Sequence, residues 1–347
     1  MKYSEQLDRA YILKWLEKLL NTASPSGFCN DIMSLLKQEM DRLKQSYEIT
    51  PKGNMIVTID GEQSNEVLGL SGHVDTLGAM VRAIKSNGML RITPIGGYAM
   101  QTIEGEYCLI HTRDKKVYEG TVLSTKPSVH VYPDARDMKR EEANMEIRID
   151  ETVSSKEDVE RLGIAVGDFI SWDARTKILP NGWVKSRHLD DKASVAALLG
   201  IIELFARKQI KPKQTTKIIF STYEEVGHGT AHIPADIVEL IAVDMGALGD
   251  DLSATEHDVS ICAKDSSGPY DYNMTSKLIE LAKANDIKYA VDIYPFYGSD
   301  ASAALRGGSN IRAALIGPGV HASHGMERTH AEAIYNTAAL LIAYMTK

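Results

Sequence analysis

The sequence is poor in cysteine and contains no long apolar run. Cys29, Cys108 and Cys262 are the three cysteines among 347 residues, and they lie far apart. An odd number at this spacing argues against a disulfide framework and against a thiolate zinc cluster. No segment reaches the ~18 apolar residues of a membrane span, and the N-terminal segment mixes charged residues into an apolar pattern, unlike a signal peptide. We therefore expect no membrane partner and a cytoplasmic location.

Basic runs are also missing. The chain has 39 Lys and Arg against 47 Asp and Glu, a formal net charge of −8. Proteins that bind nucleic acid neutralise phosphates with clustered basic side chains, so we expect no nucleic-acid partner. The sequence also has no G-x-S-x-G nucleophile elbow, no phosphate loop and no G-x-G-x-x-G dinucleotide turn. The remaining candidate chemistry is a metal site formed by imidazoles and carboxylates, which suits Zn²⁺, Co²⁺ or Mn²⁺.

Apolar spacing predicts alternating helices and strands on both sides of a central segment. The predicted helices cover 4–21, 29–44, Lys192–Arg207, Tyr272–Ala284 and Glu332–Tyr344. The predicted strands are Val67–Asp75, Lys217–Thr222, Leu240–Gly246, Tyr289–Ile293 and Ile311–Gly317. Strands that are apolar along their whole length are typical of sheets covered on both faces. We predict an α/β fold with a mixed, largely parallel sheet sandwiched by helices.

The central segment has a different sequence pattern. Short β-prone pieces (LRITPI, YCLIHT, GTVLST, VHVY and DFISWDA) alternate with turns, and a helical period appears only near Lys156–Leu162. This pattern predicts an inserted all-β barrel domain over 77–180. The α/β domain would then be discontinuous and consist of 1–76 and 181–347.

Acidic residues and histidines follow the predicted buried strands. In open α/β sheets ligands bind beyond the carboxyl ends of the strands, so these residues are candidates for a shared site. They are His73, Asp75, Glu224, Glu225 and Asp244, with Asp190 and Asp191 before a long helix. In an extended segment His73 and Asp75 point to the same side, so Asp75 could orient the imidazole. Each residue also has a structural alternative, as a turn cap, a helix N-cap or a solvated loop residue.

A histidine cluster follows the last predicted strand. His321, His324 and His330 lie within the segment GVHASHGMERTH. Three imidazoles at a strand end suit metal ligation or catalysis, although at least one of them is expected to be structural.

The order HVDT, LDDK, EEVG, VDMG and a C-terminal SHG resembles the dinuclear aminopeptidases of metallopeptidase clan MH. The closest branch is the glutamyl and tetrahedral aminopeptidases, some of which carry the names cellulase M or endoglucanase. The resemblance covers essentially the whole chain, including the inserted β domain, the SPSG turn and YGSDASA (Tyr297–Ala303). It implies a zinc-peptidase-like fold and an enzyme that hydrolyses peptide bonds.

The resemblance also implies roles for individual residues. His73 and Asp244 would hold one divalent ion, Glu225 and His324 would hold a second, and Asp190 would bridge the two. Zn²⁺ and Co²⁺ are the expected metals, and His321 is the alternative to His324. In this interpretation Asp75 orients His73 and Glu224 is the general base. Asp300 is a candidate to bind the free amine of the substrate, and Lys192 stands where relatives commonly have Arg.

The implied reaction is removal of N-terminal residues from short peptides by a water that bridges the two metal ions. Relatives assemble through the β domain into a hollow tetrahedral dodecamer, so the resemblance implies a homo-oligomer. Two alternatives remain open at this point. One is a metal-dependent deacylase or amidase that acts on an N-acylated small molecule or an unusual dipeptide. The other is a metal-stabilised binding or scaffold protein without activity.

Overall fold

The computed structural model describes residues 3–347, and the first two residues lie outside this range. The α-helices in the described part of the chain are α1 (Tyr3–Gln6), α2 (Arg9–Leu20), α3 (Asn30–Leu43), α4 (Lys156–Leu162), α5 (Leu189–Lys208), α6 (Tyr272–Ala284), α7 (Asp300–Arg306) and α8 (Ala331–Thr346). Asp8 and Asp271 cap α2 and α6 by accepting hydrogen bonds from backbone N–H groups of the first turn.

The strands of the α/β part are β1 (Tyr47–Ile49), β2 (Met55–Ile59), β3 (Gln63–His73), β12 (Gln214–Ser221), β13 (Ile237–Val243), β14 (Gly246–Ala247), β15 (Val259–Asp265), β16 (Gly268–Pro269), β17 (Tyr289–Ile293) and β18 (Arg312–Val320). The remaining strands are β4 (Gly78–Ile84), β5 (Leu90–Ile95), β6 (Tyr107–His111), β7 (Val117–Ser124), β8 (Met145–Ile149), β9 (Phe169–Trp172), β10 (Lys177–Ile178), β11 (Trp183–Ser186) and β19 (Glu327–His330).

The main sheet has the strand order β1-β2-β12-β3-β13-β18-β15-β16, with β14 beside β18 and β17 beside β15. The pairs β12–β3, β3–β13 and β13–β18 in its centre are parallel, whereas β1–β2, β2–β12 and β15–β18 are antiparallel. The predicted mixed, largely parallel sheet is therefore confirmed.

Helices cover both faces of this sheet. Successive side chains of a strand point to opposite faces, and Ile218 and Phe220 join the core under α2, α3, α5 and α8. Ile219, between them, packs into the opposite core with Ala301 and Ala304 of α7. Burial on both faces explains why these strands are apolar at nearly every position.

The central segment forms a closed barrel with the strand order β4-β5-β8-β7-β6-β9. It has a separate core, which includes Val81, Ile92, Ile110, Ile147 and Ile170. The barrel strands begin at Gly78 and end at Trp172, and the next strands, β10 and β11, pair with β19 near the C-terminus. The predicted inserted barrel is thus present, and the boundaries 77 and 180 stay a prediction.

Two details of the barrel differ from the sequence prediction. The β-prone piece VHVY (129–132) lies in a turn segment, where Val131 and Tyr132 both donate backbone hydrogen bonds to the carbonyl oxygen of Ser128. Instead, β8 closes the barrel and pairs with β7 from Gly120 to Ser124. The side chains of Val129 and Val131 are exposed, so burial does not stabilise a strand at these residues despite their β propensity.

None of the helices within residues 3–347 is both long and apolar enough to span a membrane.

The close approach of β13 and β18 generates the first testable prediction. A methyl group at Gly317 would lie 1.8 Å from the carbonyl oxygen of Asp244, a backbone atom that cannot move aside cheaply. We expect Gly317→Ala to lower the free energy of unfolding by roughly 1–3 kcal/mol, measured by urea denaturation. Gly249→Ala is the control, because a methyl group there meets no atom within 4 Å. Equal stability of the two variants would contradict this packing.

Candidate metal centre

Three neighbouring parallel strands end at the same edge of the sheet. The last residue of β12, Ser221, is in register with His73, the last residue of β3, and β13 runs parallel on the other side of β3. The chain segments that leave these strands carry Asp75, the Glu224–Glu225 pair and Asp244. The topology therefore brings residues that are distant in sequence to one cavity at the carboxyl edge.

His73 is buried, and each of its ring nitrogens has a distinct environment. Nδ1 lies 2.9 Å from the backbone carbonyl oxygen of Asp75, to which it can donate a hydrogen bond. This leaves Nε2 as the nitrogen that could bind a metal. Nε2 lies 3.1 Å from Oδ1 of Asp190 and 3.7 Å from Oε2 of Glu224. His73 thus points its free nitrogen into the carboxylate cluster.

The Asp75 carboxylate contacts a different group from the one predicted. We expected it to accept a hydrogen bond from His73, but Oδ1 lies 3.7 Å from Nδ1, and the carbonyl oxygen of Asp75 makes that contact instead. The carboxylate accepts the backbone N–H groups of Glu224 at 3.1 Å and Glu225 at 3.3 Å. It also accepts the hydroxyl of Ser26, from the SPSG turn. Asp75 therefore ties the glutamate pair to the end of β3.

Helix α5 begins with an irregular turn that places two aspartates at the site. Asp190 has φ −74° and ψ 102°, and Asp191 has φ −120° and ψ 25°, so neither is helical. The backbone turns between them and the two carboxylates diverge. Asp190 faces the histidines, whereas Oδ2 of Asp191 accepts the backbone N–H of His73 at 3.2 Å. Oδ1 of Asp191 has no hydrogen-bond partner within residues 3–347.

His324 approaches Asp190 from the opposite side to His73. Its Nε2 lies 3.3 Å from Oδ2 of Asp190 and 3.5 Å from Oε2 of Glu225. Its Nδ1 contacts the carbonyl oxygen of Gly97 in the barrel segment, which again leaves Nε2 as the nitrogen that could bind a metal. The alternative candidate, His321, is exposed and pairs through its backbone with Arg328.

Glu327 is a buried residue that the sequence analysis did not assign. One carboxylate oxygen accepts the backbone N–H of Asp190 and the other accepts that of His324, both at 3.1 Å. It therefore fixes two of the predicted ligands relative to each other. Its only sequence signal is its place in the C-terminal cluster, three residues after His324.

The carboxylates of this cluster repel one another. Burial, reinforced by the charge of Asp190, raises the pKa of Glu225 to about 8 and that of Asp244 to about 7. Burial and then the charge of Asp244 raise the pKa of Asp191 well above its ordinary value. His73 shows the converse effect, because its pKa is raised by Asp190 and Glu224 although burial opposes protonation. Simultaneous ionisation of the neighbouring carboxylates is unfavourable here, and added positive charge would favour it.

These features fit divalent metal ions. Two groups of three side chains each place their ligand atoms within 4.8 Å of one another, namely His73 with Asp191 and Asp244, and His73 with Asp190 and Glu225. The Nε2 atoms of both histidines face carboxylate oxygens, and two acceptors in contact require a proton or a cation between them. Oxygen and imidazole donors suit Zn²⁺ and Co²⁺.

Asp300 does not line the cavity that holds this cluster. It is buried at the start of α7, where Oδ2 accepts the hydroxyl of Ser221 at 2.5 Å and Oδ1 accepts the backbone N–H of Thr230 at 3.0 Å. With both oxygens engaged by the protein, Asp300 is poorly placed to bind a substrate amine, contrary to our expectation. Instead it ties α7 to the segment that follows β12.

A third group of potential ligands, His257, His330 and Glu332, lies elsewhere. Nδ1 of His330 accepts the backbone N–H of Glu332, and Nε2 donates to the carbonyl oxygen of Asn181. The Glu332 carboxylate pairs with His257 and Lys288, both at 3.0 Å. Since these contacts satisfy His330 and Glu332, we interpret the group as structural.

Metal binding gives a direct test of the assignment. We expect Zn²⁺ at about 100 times its Kd to raise the free energy of unfolding by about 2.7 kcal/mol, and a chelator to reverse the change. His324→Ala should lower the affinity for one ion by about a hundredfold, because a ligand is removed. His321→Ala is the matched control and should bind zinc normally in calorimetric titrations. Loss of binding in His321→Ala, with normal binding in His324→Ala, would reverse the assignment.

Comparison with known proteins identifies relatives of this chain. A family model described as M42 glutamyl aminopeptidase matches residues 53–340. YhfE of Bacillus subtilis (strain 168), provisionally named an aminopeptidase, is 46% identical over 334 residues, and the match covers 96% of each chain.

Solved structures share the fold over nearly the whole chain. The aminopeptidase APDkam598 from the archaeon Desulfurococcus kamchatkensis has a TM-score of 0.88 at 23% identity, covering 98% of this chain and 95% of that chain. The Pyrococcus horikoshii TET1 peptidase, which can assemble into a tetrahedron or a large octahedral shell, has a TM-score of 0.84 at 23% identity, with coverage of 97% and 99%.

The family match covers most of the chain and includes the segments that form the cluster. It confirms the resemblance and identifies the protein as a hydrolase of peptide bonds. The chain therefore belongs to the M42 glutamyl aminopeptidase family.

Proposed function

We propose that this protein is a dinuclear metalloaminopeptidase that removes N-terminal residues from short peptides. The observation that carries the proposal is the position of Asp190, whose two carboxylate oxygens face Nε2 of His73 and Nε2 of His324 at 3.1 and 3.3 Å. A carboxylate between two imidazoles suits a ligand shared by two ions. His73 and Asp244 would complete one site, and Glu225 and His324 the other. Zn²⁺ and Co²⁺ are the proposed metals.

When bound to these residues, divalent ions would supply Lewis acidity, which lowers the pKa of water and polarises a scissile carbonyl. The chain itself would supply the proton transfer. Glu224 lines the cavity, its side chain is 15% exposed, and Oε2 lies 3.7 Å from Nε2 of His73. Burial raises the pKa of Glu224, which favours a carboxylate that accepts a proton and later donates it to the leaving amine.

The two glutamates would have different roles, Glu225 as a metal ligand and Glu224 in proton transfer. Consecutive side chains diverge in this turn, and Glu225 lies against His324 whereas Glu224 lies against His73. Asp75 would hold both glutamates through their backbone N–H groups. We therefore propose that Asp75 positions the general base, Glu224, in addition to positioning His73. This is a positioning role, because the Asp75 carboxylate is fully buried behind the pair.

The cavity around these residues has a volume of about 410 Å³ and is open to solvent. This size suits a few residues of an extended peptide and is within the range of small-ligand pockets. Phe296, which is 99% exposed, and Arg306 also line this cavity. We infer that substrates enter past Phe296.

Replacement of the proposed base tests the mechanism. In Glu224→Gln the side chain keeps its size but cannot accept a proton, so we expect kcat for leucine p-nitroanilide to fall by about 10²–10⁴-fold. The zinc content should stay at the wild-type level, measured by atomic emission. Glu157→Gln, an exposed change on α4, is the control and should retain full activity. Near-normal turnover of zinc-loaded Glu224→Gln would exclude Glu224 as the base.

The same assay separates peptide cleavage from deacylation. We expect hydrolysis of free aminoacyl anilides and none of the N-acetylated equivalents, because relatives in this family are aminopeptidases. Activity confined to the N-acetylated set would instead establish a deacylase. A protein that binds zinc and hydrolyses neither set would be a metal-stabilised scaffold.

Assembly is proposed from the related structures. The TET1 peptidase of Pyrococcus horikoshii forms tetrahedral or octahedral shells, and another TET1 structure is a dodecamer. We propose that this chain is also a homo-oligomer, up to a tetrahedral dodecamer, in which the barrel contributes to assembly and substrate access. Mass photometry should then show a species well above the monomer mass, and a monomer at micromolar concentration would contradict the proposal. A cytoplasmic location stays a prediction.

A further inference from the structure

A second cavity lies between the barrel and the α/β part of the chain. Its volume is about 490 Å³, and it is separate from the metal centre, because the two cavities share none of their described lining residues. One wall comes from the segment after α2 and from the start of α5. The other comes from barrel strands β6, β7 and β9. Lys192 and His188 place N–H donors on the first wall, and the second wall carries carboxylates.

The wall on the α/β side carries a buried lysine. Lys192 is 1% exposed, and its amino group donates one hydrogen bond, to the carbonyl oxygen of Thr22 at 2.8 Å. Burial lowers the pKa of Lys192 to about 7, although the charges of Cys29 and Asp75 favour the protonated form. The amino group has further N–H donors in either form, and the Asp75 oxygens already accept hydrogen bonds from Ser26, Glu224 and Glu225. Lys192 therefore has donors left for a ligand.

A second polar group in the cavity wall lacks a partner. The side chain of His188 is 8% exposed and makes no hydrogen bond within residues 3–347. Buried polar groups in native proteins are nearly always hydrogen-bonded, to the protein or to something bound. The cavity that His188 lines has room for such a partner.

The barrel side carries negative charge. Glu119, Asp150 and Asp173 line the cavity with exposed side chains, and none of them forms an ion pair in the described part of the chain. The backbone N–H of Asp150 donates to the carbonyl oxygen of Glu119 at 2.9 Å, so these two residues are neighbours. Tyr107 and Leu109 add exposed apolar surface beside them. The cavity thus has a floor with unpaired N–H donors, an anionic rim and an apolar flank.

We propose that this interdomain cavity binds a short zwitterion with an apolar side chain, that is, a free α-amino acid or a dipeptide. The ligand carboxylate faces Lys192 and His188, the ammonium group faces Glu119, Asp150 and Asp173, and the side chain packs on Tyr107 and Leu109. These ligands belong to the product class of the proposed aminopeptidase. The inference rests on the charges and unpartnered groups of the cavity, so it does not depend on the proposed catalytic residues.

The test uses the full-length protein with its metals removed by a chelator, so that no turnover occurs. L-Leucine and L-leucyl-L-leucine are titrated by isothermal calorimetry, and their relative affinities decide between amino acid and dipeptide. N-acetyl-L-leucine lacks the ammonium group and isoamylamine lacks the carboxylate. We expect each to bind at least about tenfold more weakly than L-leucine, because one charged contact is lost.

Variants locate the binding site. The double change Glu119→Gln and Asp150→Asn should weaken L-leucine binding roughly threefold to tenfold, because it removes two rim charges. Lys192→Met should abolish binding, with circular dichroism to verify that it folds. Glu157→Gln, an exposed carboxylate of the barrel segment outside the cavity, is the matched control, and Glu224→Gln should also bind normally.

Three results would overturn the proposal. They are no binding of either zwitterion, equal affinity for the single-charge probes, and binding that is lost in Glu224→Gln but intact in the rim variant. The last result would place the ligand in the catalytic cavity. Failure of the proposed function would appear separately, as a metal-loaded protein that hydrolyses no peptide substrate.

Discussion

Buried carboxylates meet around Asp190 at the carboxyl edge of three parallel strands, with an imidazole on each side. Their mutual repulsion is the main electrostatic constraint of the molecule. Burial and the neighbouring charges raise the pKa values of Asp191, Glu224, Glu225 and Asp244, which disfavours full ionisation of the cluster. Divalent ions would allow all of these groups to be ionised together, and much of the surrounding structure holds them in place.

The surrounding structure holds the cluster mainly through backbone N–H groups. Asp75 accepts those of Glu224 and Glu225, and Glu327 accepts those of Asp190 and His324. A carboxylate that accepts backbone N–H groups fixes the chain path and leaves the neighbouring side chains free to bind metal. The β strands and α5 then carry these fixed points on a rigid, fully covered sheet. In this arrangement the fold positions the predicted ligands, and the carboxylates of Asp75 and Glu327 orient the acidic residues beside them.

The sequence predicted elements well where burial follows a regular period. The residues of α6 and β17 agree with the predictions at both ends, because their apolar spacing and flanking turn residues point to the same boundaries. The prediction of a strand at VHVY was wrong, because β propensity alone does not determine a strand whose side chains remain exposed. β8 was missed because its charged residues, Glu146 and Arg148, alternate with the apolar ones and interrupt the apolar run.

The site was predictable only in part. The acidic residues and His73 follow apolar strands, and this position alone made them candidates. Ser26 and Glu327 had no comparable signal, because they act on groups 49 and 137 residues away in sequence. Asp300 was a candidate to bind the substrate amine, yet it lies at the buried start of α7, where Ser221 and Thr230 satisfy it. Local sequence indicates which side chains can bind a metal, whereas the tertiary fold decides which of them meet.

The measurement that tests this account most directly is anomalous diffraction from crystals grown with zinc, collected on both sides of the zinc absorption edge. The account predicts two anomalous peaks, one on each side of the Asp190 carboxylate. The first would be near His73 and Asp244 and the second near Glu225 and His324. A single peak, or peaks remote from Asp190, would contradict the central claim that this carboxylate is shared by two metal ions.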